Sequence, residues 1–455
     1  MKKLRPYHIA LFIWLSIAVL GGISWAWQGP MTIGSVTLRW KTLSEVLGNE
    51  APGDTLGDIG VLGCQDSLAS LEIVDTVVAP PVVRPTQPIQ PVITTAVTHN
   101  AAPLQPFFEA LQQADRQQVR VVHYGDSQIE EDRISYMLRR NLQEAYGGGG
   151  VGLIPLHQTI PTRTLEQRLR MDGVVQASGQ GPERNIVYGP KSMRREDGLY
   201  GPMGQVAMLT GEQTIELQLR PRSTKHNSEH YFSQIRLLAD EGIGISVGND
   251  SLVHSGIVRV QDSTMECSIR VTGAGKVYGL SLEQPHGIVL DNIPMRGSSG
   301  AIFTQIDSTQ LSDFYRETNT RLIILQYGGN SLPNMPNERY VYGAVSQLQK
   351  QVQYLKRCAP EASFLFIGPS DMATQVEGEM QTYPLLPLMD SQLRRMADKE
   401  GIAYYSMYHA MGGSGSMIHW VEVGLASSDY VHFSRAGADK AAKMLWQWLM
   451  EQKEE

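Results

Sequence analysis

The sequence predicts an α/β protein: a parallel sheet covered by helices on both faces, interrupted by an inserted β-sandwich and preceded by an N-terminal transmembrane anchor. Three observations predict it. Buried strand patterns alternate with amphipathic helix patterns over residues 101–165 and again over 288–455, the signature of a three-layered parallel sheet. Residues 166–287 carry instead short polar/apolar alternations separated by turn clusters. The first 28 residues place a basic flank ahead of a long apolar run.

Taken in order, Lys2, Lys3 and Arg5 precede an apolar segment from Ile9 to Trp27 that ends at Gln28-Gly29-Pro30. Its 19 residues approach the length needed to cross a bilayer, and Trp14, Trp25 and Trp27 suit a membrane interface. Ser24-Trp25-Ala26 is a poor small-x-small cleavage site, so an uncleaved anchor over 1–28 is preferred to a removed signal peptide. Both readings export the rest of the chain to the cell envelope. A juxtamembrane region and linker follow over 29–100. From Val77 to Val97 the chain is nearly uncharged and stiffened by Pro80, Pro81, Pro85, Pro88 and Pro91, which reads as an extended spacer ending near Asn100.

The first α/β segment opens with a short helix (Phe107, Phe108, Leu111) and the strand Val119–Tyr124, which stops at Gly125-Asp126-Ser127. A helix with Ile134, Met137, Leu138 and Leu142 on one face follows directly, ended by Gly147–Gly150. That glycine run follows a helix and lacks a trailing Gly-Lys-Ser/Thr, so it is not a phosphate loop. In the insertion, Gln213–Arg220, Ser268–Val271 and Val277–Leu282 alternate as strands, with turns expected at Gly248-Asn249-Asp250 and Thr272-Gly273-Ala274-Gly275. The α/β pattern then returns. Strands are expected at Gly287–Asn292, Arg321–Tyr327, Ser363–Gly368 and Ile402–Tyr405, and helices around Val345–Arg357, Leu388–Lys399 and Ala436–Glu451.

Composition narrows the function. A net charge of −7 with no basic stripe on any helix excludes a nucleic-acid partner. Cys64, Cys267 and Cys358 lie far apart, and neither Cys-x-x-Cys nor His-Glu-x-x-His occurs, so no metal site is indicated.

Ser127 stands at the carboxyl end of a strand and the start of a helical pattern, where open α/β sheets bind ligands and backbone N–H groups meet negative charge. It is the first candidate nucleophile. Gly297, Asn330, and Asp429 with His432 follow at further strand ends or helix starts. Acyl transfer by serine needs a base, a group to orient it, and donors for the developing oxyanion, and this set contains such groups. His123, His409 and His419 are rival bases, but none has an aspartate three residues before it in a loop entering the last helix.

Serine, glycine, asparagine and histidine in that chain order, with aspartate three residues before histidine, resemble the SGNH, or GDSL, hydrolase family over 101–165 and 288–455. The resemblance implies a flavodoxin-like α/β/α fold. It implies Ser127 as nucleophile, His432 as general base and then acid, and Asp429 as the orienting carboxylate. The oxyanion hole would combine the Ser127 and Gly297 backbone N–H groups with the Asn330 side-chain amide. Around Gly297 the sequence departs from the usual block, and Gly300 is close. No metal or organic cofactor is implied.

A β-rich insertion and export together look like the bacterial members that act on O-acetylated glycans, notably the peptidoglycan O-acetylesterases. That likeness implies removal of acetyl esters from an acylated cell-envelope or extracellular polysaccharide through an acyl-serine intermediate. Three alternatives stay open. One is an envelope O-acetyltransferase with the same triad, supplied by a membrane acyltransferase partner; the others are a non-catalytic glycan-binding protein and an acyl-chain lipase.

Overall fold

The computed structural model describes residues 31–33, 36–38 and 102–454, apart from short stretches at 172–173, 176–180, 222–230, 249–252, 255 and 265. It divides into two units, Met1–Val61 and Leu62–Glu455. In the first, Met31–Ile33 and Val36–Leu38 pair as an antiparallel hairpin. The anchor expected over 1–28 and the proline-rich spacer lie outside the described residues. Among the described residues, no helix is long and apolar enough to cross a membrane.

In the second unit, the chain enters through helix α1 (Gln105–Leu111), strand β1 (Gln118–Gly125) and helix α2 (Ser135–Tyr146). The insertion contributes β2 (Gln205–Pro221), β3 (Phe232–Ala239) and β4 (Cys267–Glu283) to a ten-stranded sheet. The α/β part resumes with β5 (Gly287–Pro294), α3 (Ser308–Glu317), β6 (Thr320–Gln326), α4 (Glu338–Cys358), β7 (Ser363–Ile367), α5 (Leu386–Glu400), β8 (Ala403–Tyr405) and α6 (Arg435–Glu454).

Strands β5, β1, β6, β7 and β8 lie side by side in that order, all parallel. Period-two alternation distributes their side chains to two cores. Val119, Val121, Ile288, Leu290, Leu322 and Ile324 face α2 and α6, while Val122, Tyr124, Ile323, Leu325, Phe364 and Phe366 face α3, α4 and α5. Each fully buried aliphatic or aromatic side chain stabilises by about 1.5–3 kcal/mol, so slipping a strand by one residue would forfeit both faces at once. The chain runs from β1 to β5 on one side, then crosses back to β6 on the other. The switch in direction therefore falls at β1, and a crevice opens beyond its carboxyl end.

The insertion differs from the expected sandwich of two separate sheets. Ten strands, Gly152–Ile154 among them, hydrogen-bond as one continuous antiparallel sheet over an apolar core of their own, while Val206 and Tyr278 join the core of the parallel sheet. Strand β4 is the reason. Its first half pairs with β2 and with Ile243–Val247, and its second half with β3 and with Gly152–Ile154. Thr272–Gly275, expected as a turn, is the point where this 17-residue strand shifts register. Gly273 sits there at φ +133°, with the Gly242 carbonyl in the place of a Cβ. Such a bulge needs glycine and bends the strand without ending it.

Insert and parallel sheet are joined by a buried charge cluster. The Arg120 guanidinium donates to Asp291 at 2.7 and 2.9 Å, to Ser281 Oγ at 3.2 Å and to Glu283. Asp291 also accepts the Leu153 N–H at 2.8 Å, and Glu283 accepts from Arg236 at 3.1 Å. Arg120, Asp291 and Glu283 are all at 0% exposure, so removing the cation leaves Asp291 uncompensated and Glu283 with Arg236 alone. Arg120→Leu is therefore expected to lower unfolding stability by about 3–5 kcal/mol, read from urea unfolding midpoints. A loss under 1 kcal/mol would show that the cluster is not structural cement.

Candidate active site

Strand β1 ends at Gly125, where any Cβ would meet Ile129 Cδ1 at 2.9 Å and the Gln326 carbonyl at 3.3 Å. Asp126 then caps a short 3-10 turn, Ser127–Asp132, accepting the Gln128 N–H at 2.9 Å. The helix expected immediately after Ser127 does not start there. The backbone breaks at Glu131 (φ +59°) and Asp132 (φ +64°), and α2 begins only at Ser135. Two successive left-handed non-glycine residues cost about 1–2 kcal/mol each, and ion pairs at Asp132 and Glu130 hold them. Asp132 is buried against Arg139 at 2.6 and 3.1 Å, and Glu130 is buried against Arg296.

The structure brings Ser127, His432 and Asp429 together across more than 300 residues of chain. Ser127 Oγ lies 2.8 Å from His432 Nε2, and His432 Nδ1 lies 2.7 Å from Asp429 Oδ2. The other carboxylate oxygen accepts the Val431 and His432 N–H groups, each at 3.0 Å. Burial pushes the Asp429 carboxyl upward, but hydrogen bonds from the His432 backbone and ring and from Val431 outweigh it, and the group settles below the usual carboxylate range. An ionised Asp429 thus faces the imidazole at neutral pH.

Gln128 holds the histidine loop in place, a role sequence reading missed. Its amide donates to the Val431 carbonyl at 2.6 Å and to Ser370 Oγ at 3.1 Å, and its oxygen accepts the Phe433 N–H at 3.4 Å. The only local signal is that it follows Ser127 directly.

Asn330 lies beyond the end of β6. Its side-chain amide donates to Asp126 Oδ2 at 3.1 Å and to the Ser298 carbonyl at 3.0 Å. The Ser298 bond places the loop carrying Gly297 (φ +75°) beside Asn330. Ser127, Asn330, Gln326, Pro369, Ser370 and Met372 line one pocket.

Burial pushes the Asp126 carboxyl up to about 6, against hydrogen bonds that favour its ionised form. The unfolded carboxyl titrates near 4, so between about pH 4 and pH 6 the folded chain holds the extra proton, and stability falls as pH rises through that window. Asp126→Asn is expected to remove this slope in unfolding midpoints measured from pH 4 to pH 7. It should also reduce activity, because an amide would replace the oxygen that Asn330 grips. An unchanged slope would assign the titration to another group.

The rival histidines are engaged elsewhere. His123 is fully buried between Gln326 at 3.2 Å and Ser135 at 2.9 Å, and burial lowers its pKa to about 4. His409 contacts Ser406 and Asp390, and exposed His419 lies 3.7 Å from Glu422.

No family model and no curated protein matches the sequence. Among solved structures, one described as a peptidoglycan O-acetylesterase superposes with a TM-score of 0.59 at 21% identity, over 78% of this chain and 97% of that one. An acetyl xylan esterase structure matches at TM-score 0.28 and 13% identity, over 35% of this chain and 81% of that one. The periplasmic domain of a lipopolysaccharide acetyltransferase from Salmonella ser. Paratyphi A matches at 0.26 and 13%, over 37% and 74%. With its five-stranded parallel sheet and flanking helices, the chain shares the fold of the solved peptidoglycan O-acetylesterase structure.

Proposed function

We propose that this chain is a serine esterase of the SGNH type that removes acetyl groups from a cell-envelope polysaccharide, with peptidoglycan as its substrate. The observation that carries the reading is the Ser127–His432–Asp429 relay, with contacts of 2.8 and 2.7 Å, at the switch point of a parallel sheet. The peptidoglycan O-acetylesterase structure supports the choice of substrate. The apolar run from Ile9 to Trp27 supports an inner-membrane anchor with the catalytic part in the periplasm.

In this mechanism Ser127 Oγ attacks the acetyl carbonyl as His432 Nε2 takes its proton, and Asp429 stabilises the imidazolium. The Ser127 and Gly297 N–H groups receive the negative charge on the carbonyl oxygen, and the Asn330 amide, whose two protons go to Asp126 and to the Ser298 carbonyl, joins them on releasing one of these partners. The tetrahedral adduct collapses, the C–O bond to the sugar breaks, and His432 returns the proton to the leaving sugar oxygen. Water then attacks acetyl-Ser127 with His432 again as base, releasing acetate and restoring the hydroxyl. None of these steps requires a metal or an organic cofactor.

The test is acetate release from O-acetylated peptidoglycan and from acetylated xylan by the full chain, with and without a sugar-oligomer acceptor and with Ser127→Ala as the blank. Ser127-dependent acetate in solution is the expected result. Acetyl appearing on the acceptor would replace the esterase with a transferase, and silence on every ester would overturn both.

A further inference from the structure

Resting on that esterase reading, we infer that Arg296 is a carboxylate-binding residue at the rim of the site, so that the polysaccharide it serves is an anionic one. The Arg296 side chain is 64% exposed, whereas its partner Glu130 is 5% exposed. Glu130 grips a single edge of the guanidinium: Nε at 2.9 and 3.1 Å and Nη2 at 2.6 Å. A guanidinium has two such forks, and the end-on one, Nη1 with the outer Nη2 proton, has no partner among the described residues. A buried carboxylate thus fixes the plane of an exposed cation and leaves its second fork open to solvent, in the bidentate geometry a further carboxylate accepts.

Position ties this fork to the reaction. Arg296 immediately precedes Gly297 and lies two residues before Ser298, whose carbonyl Asn330 grips, while Glu130 lies three residues after Ser127. A glycan strand whose acetyl group reaches Ser127 would run past this rim.

The competing account is that Arg296 merely neutralises buried Glu130. It predicts loss of stability on Arg296→Gln, relieved in Glu130→Gln/Arg296→Gln, with no change of substrate preference. The experiment measures kcat/KM of the full chain on O-acetylated peptidoglycan and on an acetylated uronate polymer, each before and after its carboxylates are converted to amides. The wild type is expected to prefer the carboxylated form of at least one polymer. In Arg296→Gln and in the double variant that preference should fall about tenfold, mainly through KM, with Arg296→Lys intermediate. The wild-type preference should also shrink as salt is raised. Preference unchanged in the double variant, or parallel losses on both forms, would overturn this inference alone. A wild type inactive on every ester would overturn the esterase reading and this inference with it.

Discussion

Ser127→Ala is expected to lower kcat for acetyl-ester hydrolysis by about four orders of magnitude or more, with little change in KM or in the unfolding transition. The fold should tolerate it because, among the described residues, the Ser127 hydroxyl makes its side-chain hydrogen bond to His432 alone, in a half-buried position. Asp126 and Gln128 carry the structural bonds of the turn, and the alanine leaves both in place. His432→Ala is expected to fall to a similar level, and the double variant no further. Nucleophile and base act as a unit, so removing either already abolishes the pathway. Steady-state kinetics on an aryl acetate and on acetylated glycan check this, with circular dichroism confirming the fold. A folded Ser127→Ala variant retaining even one per cent of wild-type kcat would sink the mechanism. So would two single losses that multiply in the double variant.

How much of this was legible in the sequence depended on the range of the interaction involved. The parallel sheet was readable because Val119–Tyr124, Arg321–Tyr327 and Ser363–Gly368 are short apolar runs set between helical periodicities, a pattern buried strands impose locally. Asp429 with His432 was conspicuous for the same reason: three residues in one loop suffice for a carboxylate to reach a ring nitrogen. Gln128 was not, since its partners Ser370 and Val431 lie 242 and 303 residues away. The left-handed break at Glu131 and Asp132 has no glycine or proline to announce it. Arg139 holds the Asp132 carboxylate within it and Arg296 holds the Glu130 carboxylate just before it. The glycines of β4 misled in the opposite sense, because Gly273 and Gly275 carry the composition of a turn yet serve a bulge whose need for glycine comes from Gly242 on a neighbouring segment. Local composition thus announced the elements, and residues distant in the chain decided how they bend.

Asp429→Asn is expected to lower kcat by about two to four orders of magnitude with KM nearly unchanged, a smaller loss than either Ser127→Ala or His432→Ala. The argument concerns one proton. In the native site Asp429 Oδ2, 2.7 Å from His432 Nδ1, requires the proton on Nδ1, which leaves Nε2 as the acceptor facing Ser127 at 2.8 Å. Asparagine can keep the bonds from the Val431 and His432 N–H groups through its oxygen, so the loop should hold its shape. Its amide nitrogen then faces Nδ1 with a proton of its own, driving the imidazole proton to Nε2, where it blocks the uptake of the serine proton. The side chains of Asp429 and His432 are 49% and 33% exposed, so water can compete for Nδ1 and part of the population escapes the wrong tautomer. For that reason Asp429→Ala, which has no amide to enforce it, should be less impaired than Asp429→Asn. Nitrogen-15 shifts of the His432 ring would report the tautomer directly. An Asn variant with Nδ1 still protonated, or one more active than the alanine variant, would remove the orienting role from Asp429.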